Sequence, residues 1–282
     1  MDCQSIVVES IISPHMIKQL GKDILAPVLA SFRPCNVVMF HIGRCGSTVV
    51  STLLDQHPHL YWASELYEPF FKQWRINNAG VEVVGEMPAD AIEILRKSSR
   101  QAIHHSYGFE MKPYHFRLIG YAQDDFLQHL KAMGFTHYII LDRKNRLRKI
   151  ISSIIAHQKG SYHNHGETRA RLKSVYVNLD KVEIDFDSKP LLDYLRDYDK
   201  QFSVLESSLK NERLLELTYE DDIQDDPEIA YSSICEFLDI ERKPVSVNLP
   251  KTNPFPVRDM IENLEEVEQV LSGTPYEWML NG

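Results

Sequence analysis

The sequence predicts one α/β domain: a central, mainly parallel sheet with helices on both faces. Three observations carry that expectation. Short apolar runs alternate with stretches of helical periodicity along most of the chain. The runs, such as Val37-Val38-Met39-Phe40 and Tyr138-Ile139-Ile140-Leu141, are apolar at consecutive positions, as strands buried on both faces must be. No repeat, low-complexity tract or linker divides the 282 residues, a length that one core can serve. Residues 1–35 are expected to form a helical segment packed on the domain, and residues 36–282 the α/β domain itself.

In chain order, Met16, Leu20, Ile24, Val28 and Phe32 stand four apart and predict a helix, despite Gly21 and Pro27. Pro34 ends it and the Val37 strand follows. Gly43 to Ser47 is a tight turn into a helix carrying Val49, Val50, Leu53 and Leu54, which stops near His57-Pro58. A helix over 89–104 precedes a strand at Phe109-Glu110-Met111. A helix over 126–133 precedes the Tyr138 strand, and another runs from about 146 to 157. The stretch 159–185 is polar and weakly periodic, which predicts a mobile loop. Leu191, Leu195, Tyr198, Phe202, Leu205 and Leu209 mark one face of a long helix. Residues 214–218 read as a strand and 227–238 as a helix with Pro227 in its first turn. Right-handed crossovers would gather the strand C-termini along one edge, where ligands bind in such sheets.

Composition narrows the function. Hydrophobic residues make up 43% and charged residues 25%, an ordinary globular balance, and the formal charge of −9 opposes general nucleic-acid binding. A local cationic pocket for a small anion remains open. No apolar run approaches the ~20 residues of a membrane span. The start, Met1-Asp2-Cys3-Gln4, lacks the basic-then-apolar order of a signal peptide. Cys3, Cys35, Cys45 and Cys235 have neither metal nor framework spacing, which points to reduced thiols in a cytoplasmic protein. Self-association is left open.

The first chemical signal follows the first strand, at His41-Ile42-Gly43-Arg44-Cys45-Gly46-Ser47-Thr48. Two glycines let the backbone turn and present its N–H groups, and the next helix adds its positive end. Arg44 adds a permanent charge, and Ser47 and Thr48 add hydroxyls. This is an anion cradle, although a glycine turn can also be a mere connection. The nucleotide-triphosphatase pattern Gly-x-x-x-x-Gly-Lys-Ser/Thr is not met, because the lysine is missing. The second signal lies about a hundred residues on. Five of the seven residues from Arg143 to Lys149 are cationic; Arg143 falls at a strand's C-terminal end and Ser152 about two turns into the next helix. Lys144, Arg146 and Lys149 read as a solvated helix face. Arg143 and Ser152 mark a second strand-to-helix turn, where a second phosphate would lie.

Together these motifs resemble the cytosolic sulfotransferase superfamily over roughly residues 36–279, and Arg143 to Arg148 is most similar to its bacterial carbohydrate and lipid-glycan branch. The resemblance implies a fold of the P-loop nucleotide-binding type. It also implies transfer of a sulfonate from 3′-phosphoadenosine 5′-phosphosulfate (PAPS) to a hydroxyl of a small-molecule, carbohydrate or lipid acceptor, without a metal. Gly43, Arg44, Cys45, Gly46, Ser47 and Thr48 would hold the 5′-phosphosulfate, and Arg143 and Ser152 the 3′-phosphate. Tyr219, in Leu217-Thr218-Tyr219-Glu220-Asp221, would lie near the adenine. Lys251 and Thr252, in Leu249-Pro250-Lys251-Thr252-Asn253-Pro254, would add a basic contact. Cys45 departs from the usual serine. Val49 stands where animal enzymes often have an adenine-stacking tryptophan, so base recognition must come from elsewhere.

Sulfuryl transfer needs the sulfonate held in line, charge on the bridging oxygen stabilised, and the acceptor hydroxyl deprotonated. Arg44 cannot donate a proton at neutral pH and suits charge stabilisation. Lys112, at the end of the Phe109 strand, could reach the same oxygens or be a plain surface lysine. Three residues compete as base. Glu65 matches the place where bacterial relatives carry a catalytic glutamate and is put first. His115, three residues after Lys112, resembles the animal spacing and has the better-poised side chain. Glu110 precedes both; strand alternation would put Glu110, Lys112 and Tyr114 on one face, so that Glu110 pairs with Lys112. The aromatic run from Tyr61 to Trp74 and the 159–185 loop would wall the acceptor. His163 and His165 lack a third ligand, and Asp221, Asp222, Asp225 and Asp226 miss a calcium-loop spacing, so no metal is expected. A kinase-like or phosphatase-like enzyme and a non-catalytic adenine-nucleotide binder are the readings from other classes.

Overall fold

The computed structural model describes residues 33–71, 90–159, 174–247 and 254–282. Five parallel strands form the sheet in the order β2-β3-β1-β4-β7. They are β1 (Asn36–His41), β2 (Leu60–Glu65), β3 (Ser106–Met111), β4 (Phe135–Asp142) and β7 (Arg213–Thr218). β1 is central and buried throughout, with Val37, Val38, Met39 and Phe40 fully inaccessible. That is the burial its consecutive apolar residues demand.

The helices cover the sheet. α1 (Ser47–Asp55) buries Val50, Leu53 and Leu54, and α2 (Ala91–Arg100) buries Ile92 and Leu95 behind an Asp90 cap. A short α3 (Pro113–Leu118) leads into α4 (Gln123–Ala132), and α5 (Arg146–Lys159) follows β4. α6 (Leu191–Leu209) buries the predicted face from Leu191 to Leu209. α7 (Tyr219–Asp222), α8 (Glu228–Phe237) and α9 (Leu264–Leu271) follow among the described residues.

Topology fixes where a ligand can sit. From β1 the chain crosses toward β2 on one side; from β4 it crosses toward β7 on the other. The connections after β1 and β4 therefore diverge, and a crevice opens between them at the strand C-termini. The two sequence motifs follow these two strands.

Four expectations are corrected by local structure. Residues 60–65, where the sequence shows only the start of an aromatic run, form an edge strand, with Leu60 and Trp62 buried and Tyr61 exposed, so Glu65 lies at a strand end. The extended run after Met111 stops at Lys112. Pro113 starts α3 there, its ring already set for the first helical turn, and Tyr114 is helical. Residues 160–173 of the 159–185 stretch lie outside the described residues, and the part from 174 on is anchored. The Val175 N–H donates to Met260, the Glu262 N–H donates to Val175, and Val175, Val177, Val182 and Ile184 are buried. It ends in an antiparallel hairpin, β5 (Val182–Ile184) and β6 (Asp187–Lys189). Finally, Lys149 is fully buried and the Arg146 side chain is 11% exposed, so the solvated-face reading holds for Lys144 and fails for them. Residues 1–32, Trp74, His163, His165, Lys251 and Thr252 lie outside the described residues.

Candidate active site

The loop after β1 is built from left-handed residues: Gly43, Arg44 and Gly46 have φ of 72°, 54° and 84°. At Gly46 a Cβ would come 2.9 Å from Ile223 Cγ2 and 3.0 Å from Tyr219 Cδ2, so glycine is required twice over. Gly46 is also the residue preceding α1, and its carbonyl accepts from the Val49 and Val50 amides. For Arg44 the left-handed conformation costs about 1–2 kcal/mol. Both ends of that residue are tied down. Its carbonyl accepts from Arg143 Nη1 at 2.6 Å, and its Nε donates to Ser152 Oγ at 3.0 Å.

These two bonds join the motifs that the sequence separates by a hundred residues. Arg143 is 8% exposed; its guanidinium lies 4.1 Å from the Tyr219 ring centre, and its Nε is 3.9 Å from Glu220 Oε1. Burial lowers the Arg143 pKa, yet arginine stays charged. Tyr219 thus packs between Arg143 and Gly46 and supports both. Ser47 is buried and Thr48 exposed at the start of α1. Cys45 is fully buried, as a small residue that fits the turn.

Beside the loop stands a carboxylate–ammonium cluster. The Lys112 stem lies against Gly43, where an added Cβ would meet its Cε at 3.4 Å. Lys112 Nζ donates to Glu65 Oε2 at 2.8 Å and to Glu68 Oε2 at 3.3 Å. Burial alone would raise the Glu65 pKa. The Lys112 ammonium and His41 outweigh it and hold the carboxyl below the ordinary range. Burial would lower the Lys112 pKa, but Tyr114 and the two glutamates keep it well above the usual lysine value. A register shift between Trp62 and Glu65, with Ser64 at φ 49°, turns Glu65 toward this cluster, and Ser64 is fixed by a 2.8 Å hydroxyl contact with Ser51.

The other two base candidates are engaged elsewhere. His115 is fully buried; its Nδ1 accepts from the Lys112 amide at 3.3 Å, within the capping box of α3, and its Nε2 lies 3.6 Å from Glu68. Burial pushes its pKa down to about 4. Glu110 is 2% exposed and does not pair with Lys112. Its Oε1 accepts from Trp62 Nε1 at 2.7 Å, and its Oε2 lies 3.2 Å from His41 Nε2.

Two features escape a reading of the sequence. Lys149, three residues before Ser152, donates to Asp185 and to Tyr198 Oη in the core. Asp185 and Phe186 form the hairpin tip with φ of 52° and 58°, and Phe186 packs on Phe71 and Tyr114. The predicted aromatic wall is mostly core: Trp62, Tyr67 and Phe71 are buried, whereas Tyr61 is exposed against Tyr107.

His41, Glu65 and Glu110 bring one ligand atom each within 4.8 Å of one another, the kind of group that can hold a cation. Two contacts oppose that use. The Gly43 N–H donates to His41 Nδ1 at 3.1 Å, which leaves the ring proton on Nε2, the atom a metal would need bare. Lys112 already sits on Glu65.

No family model matches the chain, and no curated protein does. Among solved structures, a sulfotransferase from Alicyclobacillus acidocaldarius is similar at 14% identity, covering 87% of this chain and 94% of that one, with a TM-score of 0.44. Sulfotransferase STF1 from Mycobacterium tuberculosis is similar at 10% identity, covering 92% of this chain and 83% of that one, with a TM-score of 0.44.

Proposed function

We propose that this protein transfers a sulfuryl group from PAPS to a hydroxyl of a small-molecule, carbohydrate or lipid acceptor. One observation carries the reading. The Arg44 and Arg143 turns are bonded to each other in the crevice between β1 and β4, with Lys112 and Glu65 beside the same loop. An acidic chain thus gathers Arg44, Arg143 and Lys112, with Glu65 paired to the lysine, around a glycine turn at a sheet edge suited to an anionic nucleotide.

In this reading Gly46, Ser47 and Thr48 at the start of α1, with Arg44 and Cys45, hold the phosphosulfate. Arg143 and Ser152 hold the 3′-phosphate, and Tyr219 keeps Arg143 in place. Arg44 and Lys112 stabilise negative charge on the bridging oxygen as the S–O bond to the leaving phosphate breaks. Glu65 accepts the acceptor's proton as the new O–S bond forms. Its ion pair with Lys112 keeps it ionised, and Lys112 can turn to the leaving oxygen once Glu65 is protonated. Lys251 and Thr252 are proposed as further contacts on the resemblance alone.

Isothermal titration tests the donor assignment. 3′-Phosphoadenosine 5′-phosphate is expected to bind at least tenfold more tightly than 5′-AMP, through charge-assisted bonds to the additional phosphate. Equal affinity for both would remove Arg143 and Ser152 from the site.

A further inference from the structure

His41 and Glu110 are buried and ionisable, and the proposed chemistry uses neither. His41 is the last residue of β1 and is fully buried. Its Nδ1 accepts from the Gly43 N–H at 3.1 Å. Its Nε2 has no hydrogen-bond partner among the described residues, and it lies 3.2 Å from Glu110 Oε2 and 3.9 Å from Glu65 Oε1. Three adjacent strands supply the groups, with Met39 opposite Glu110 on β3 and Glu65 opposite Glu110 on β2. Glu110 is clamped from behind by the Trp62 indole.

We propose that His41 is a positioning residue that joins the glycine loop to Glu65, one ring nitrogen serving each. The inference rests on Glu65 and the loop forming one site, as proposed above.

A carboxylate as buried as Glu110 needs donors. Among the described residues, Lys112 pairs with Glu65 and Glu68 instead, leaving Glu110 the Trp62 N–H and the His41 ring. The Gly43 amide fixes the His41 tautomer, so Nε2 carries the proton, 3.2 Å from Glu110 Oε2 and 3.9 Å from Glu65 Oε1. This N–H makes a hydrogen bond to neither, and acts on both carboxylates through its partial positive charge at those distances. Through Nδ1 the ring also occupies the Gly43 amide. The loop donors left for a ligand therefore begin at Arg44. The groups that face Glu65 in this arrangement are Lys112, His41, Glu68 and Glu110, with Cys45 beside His41. Cys45 and Glu110 draw a second proton toward His41 against the pull of burial, and the Gly43 amide opposes it by needing a bare Nδ1.

Two substitutions separate the two ends. In His41→Asn the side-chain oxygen replaces Nδ1 and the Nε2 end is lost; in His41→Gln the amide nitrogen replaces Nε2 and the Nδ1 acceptor is lost. Carbon-13 NMR titration of the Glu65 carboxyl, assigned with Glu65→Gln, reads one end. Hydrogen exchange of the Gly43 amide reads the other. His41→Asn is expected to raise the Glu65 titration by about one unit while the Gly43 amide stays protected. His41→Gln is expected to leave the titration in place and lose that protection. Glu110→Gln, which removes the competing carboxylate, is expected to lower the Glu65 titration, and it decides the matter if the His41 variants fail to fold. A Glu65 titration unmoved by the folded variants, or both His41 variants losing both properties alike, would overturn the proposal. Neither readout requires nucleotide binding, so a protein that ignores 3′-phosphoadenosine 5′-phosphate would refute the sulfotransferase reading and leave this test standing.

Discussion

Replacing Gly46 with alanine tests whether the loop and the second motif form one unit. Gly46 has φ 84°, so the substitution incurs about 1–2 kcal/mol for the left-handed backbone. The new Cβ also lands 2.9 Å from Ile223 Cγ2 and 3.0 Å from Tyr219 Cδ2, overpacking that adds about 1–3 kcal/mol. Gly120 provides the control: it has φ 73°, and a Cβ there would meet nothing within 4 Å, so Gly120→Ala carries the backbone term alone. Gly46→Ala should therefore destabilise by about 2–5 kcal/mol in total, lowering Tm by roughly 5–15 °C, and Gly120→Ala by clearly less. The two should separate further in nucleotide binding. The clash pushes Tyr219, whose ring stands 4.1 Å from the Arg143 guanidinium. Gly46→Ala should then weaken 3′-phosphoadenosine 5′-phosphate by about tenfold or more, an effect of ~1.4 kcal/mol, while Gly120→Ala leaves its Kd unchanged. Equal Tm shifts with unchanged Kd in both variants would refute the account of the loop.

Further outcomes follow from the same geometry. Arg143→Ala should abolish the preference for 3′-phosphoadenosine 5′-phosphate over 5′-AMP, measured by titration calorimetry, while 5′-AMP affinity changes little. Arg44→Ala should abolish transfer with the fold intact, and Arg44→Lys should keep some of it because the charge survives without the fork; a near-normal kcat in Arg44→Ala would refute its role. His115 is held neutral with a pKa near 4, below its ordinary value, so it stabilises fully above about pH 6.5 and that contribution fades as pH falls toward 4. His115→Asn, which keeps the acceptor for the Lys112 amide, should flatten this part of the stability curve in denaturant titrations. Activity should persist in excess chelator, since bridging-oxygen charge is assigned to Arg44 and Lys112; loss in EDTA restored by magnesium would favour the kinase-like reading.

The parts of the fold legible in the sequence are those where local pattern and burial agree. Val37 to Phe40 could only be a strand buried on both faces, and the Leu191 to Leu209 stripe emerged as the inner face of α6. The Gly43 and Gly46 turn was readable because a left-handed backbone selects glycine. β2 was hidden because Tyr61 and Trp62 read as an aromatic cluster, although their alternation in exposure is that of a strand. The β5–β6 hairpin was hidden because its tip carries Asp185 and Phe186 in place of the usual glycine and asparagine. Tertiary pairing explains the rest. Lys149 is a core residue because Asp185 and Tyr198 meet it, and Glu110 faces His41 because β3 pairs with β1; neither partnership leaves a trace in spacing.

The central claim is that the cluster of Arg44, Arg143, Lys112 and Glu65 moves a sulfonate. Incubating the protein with PAPS and pooled hydroxylated metabolites, with mass detection of products, tests it most directly. The account predicts that 3′-phosphoadenosine 5′-phosphate and a sulfonated product appear in equal amounts, and that both disappear in Glu65→Gln although the nucleotide still binds. Tight nucleotide binding with no sulfonated product from any acceptor class, or full transfer by Glu65→Gln, would contradict it.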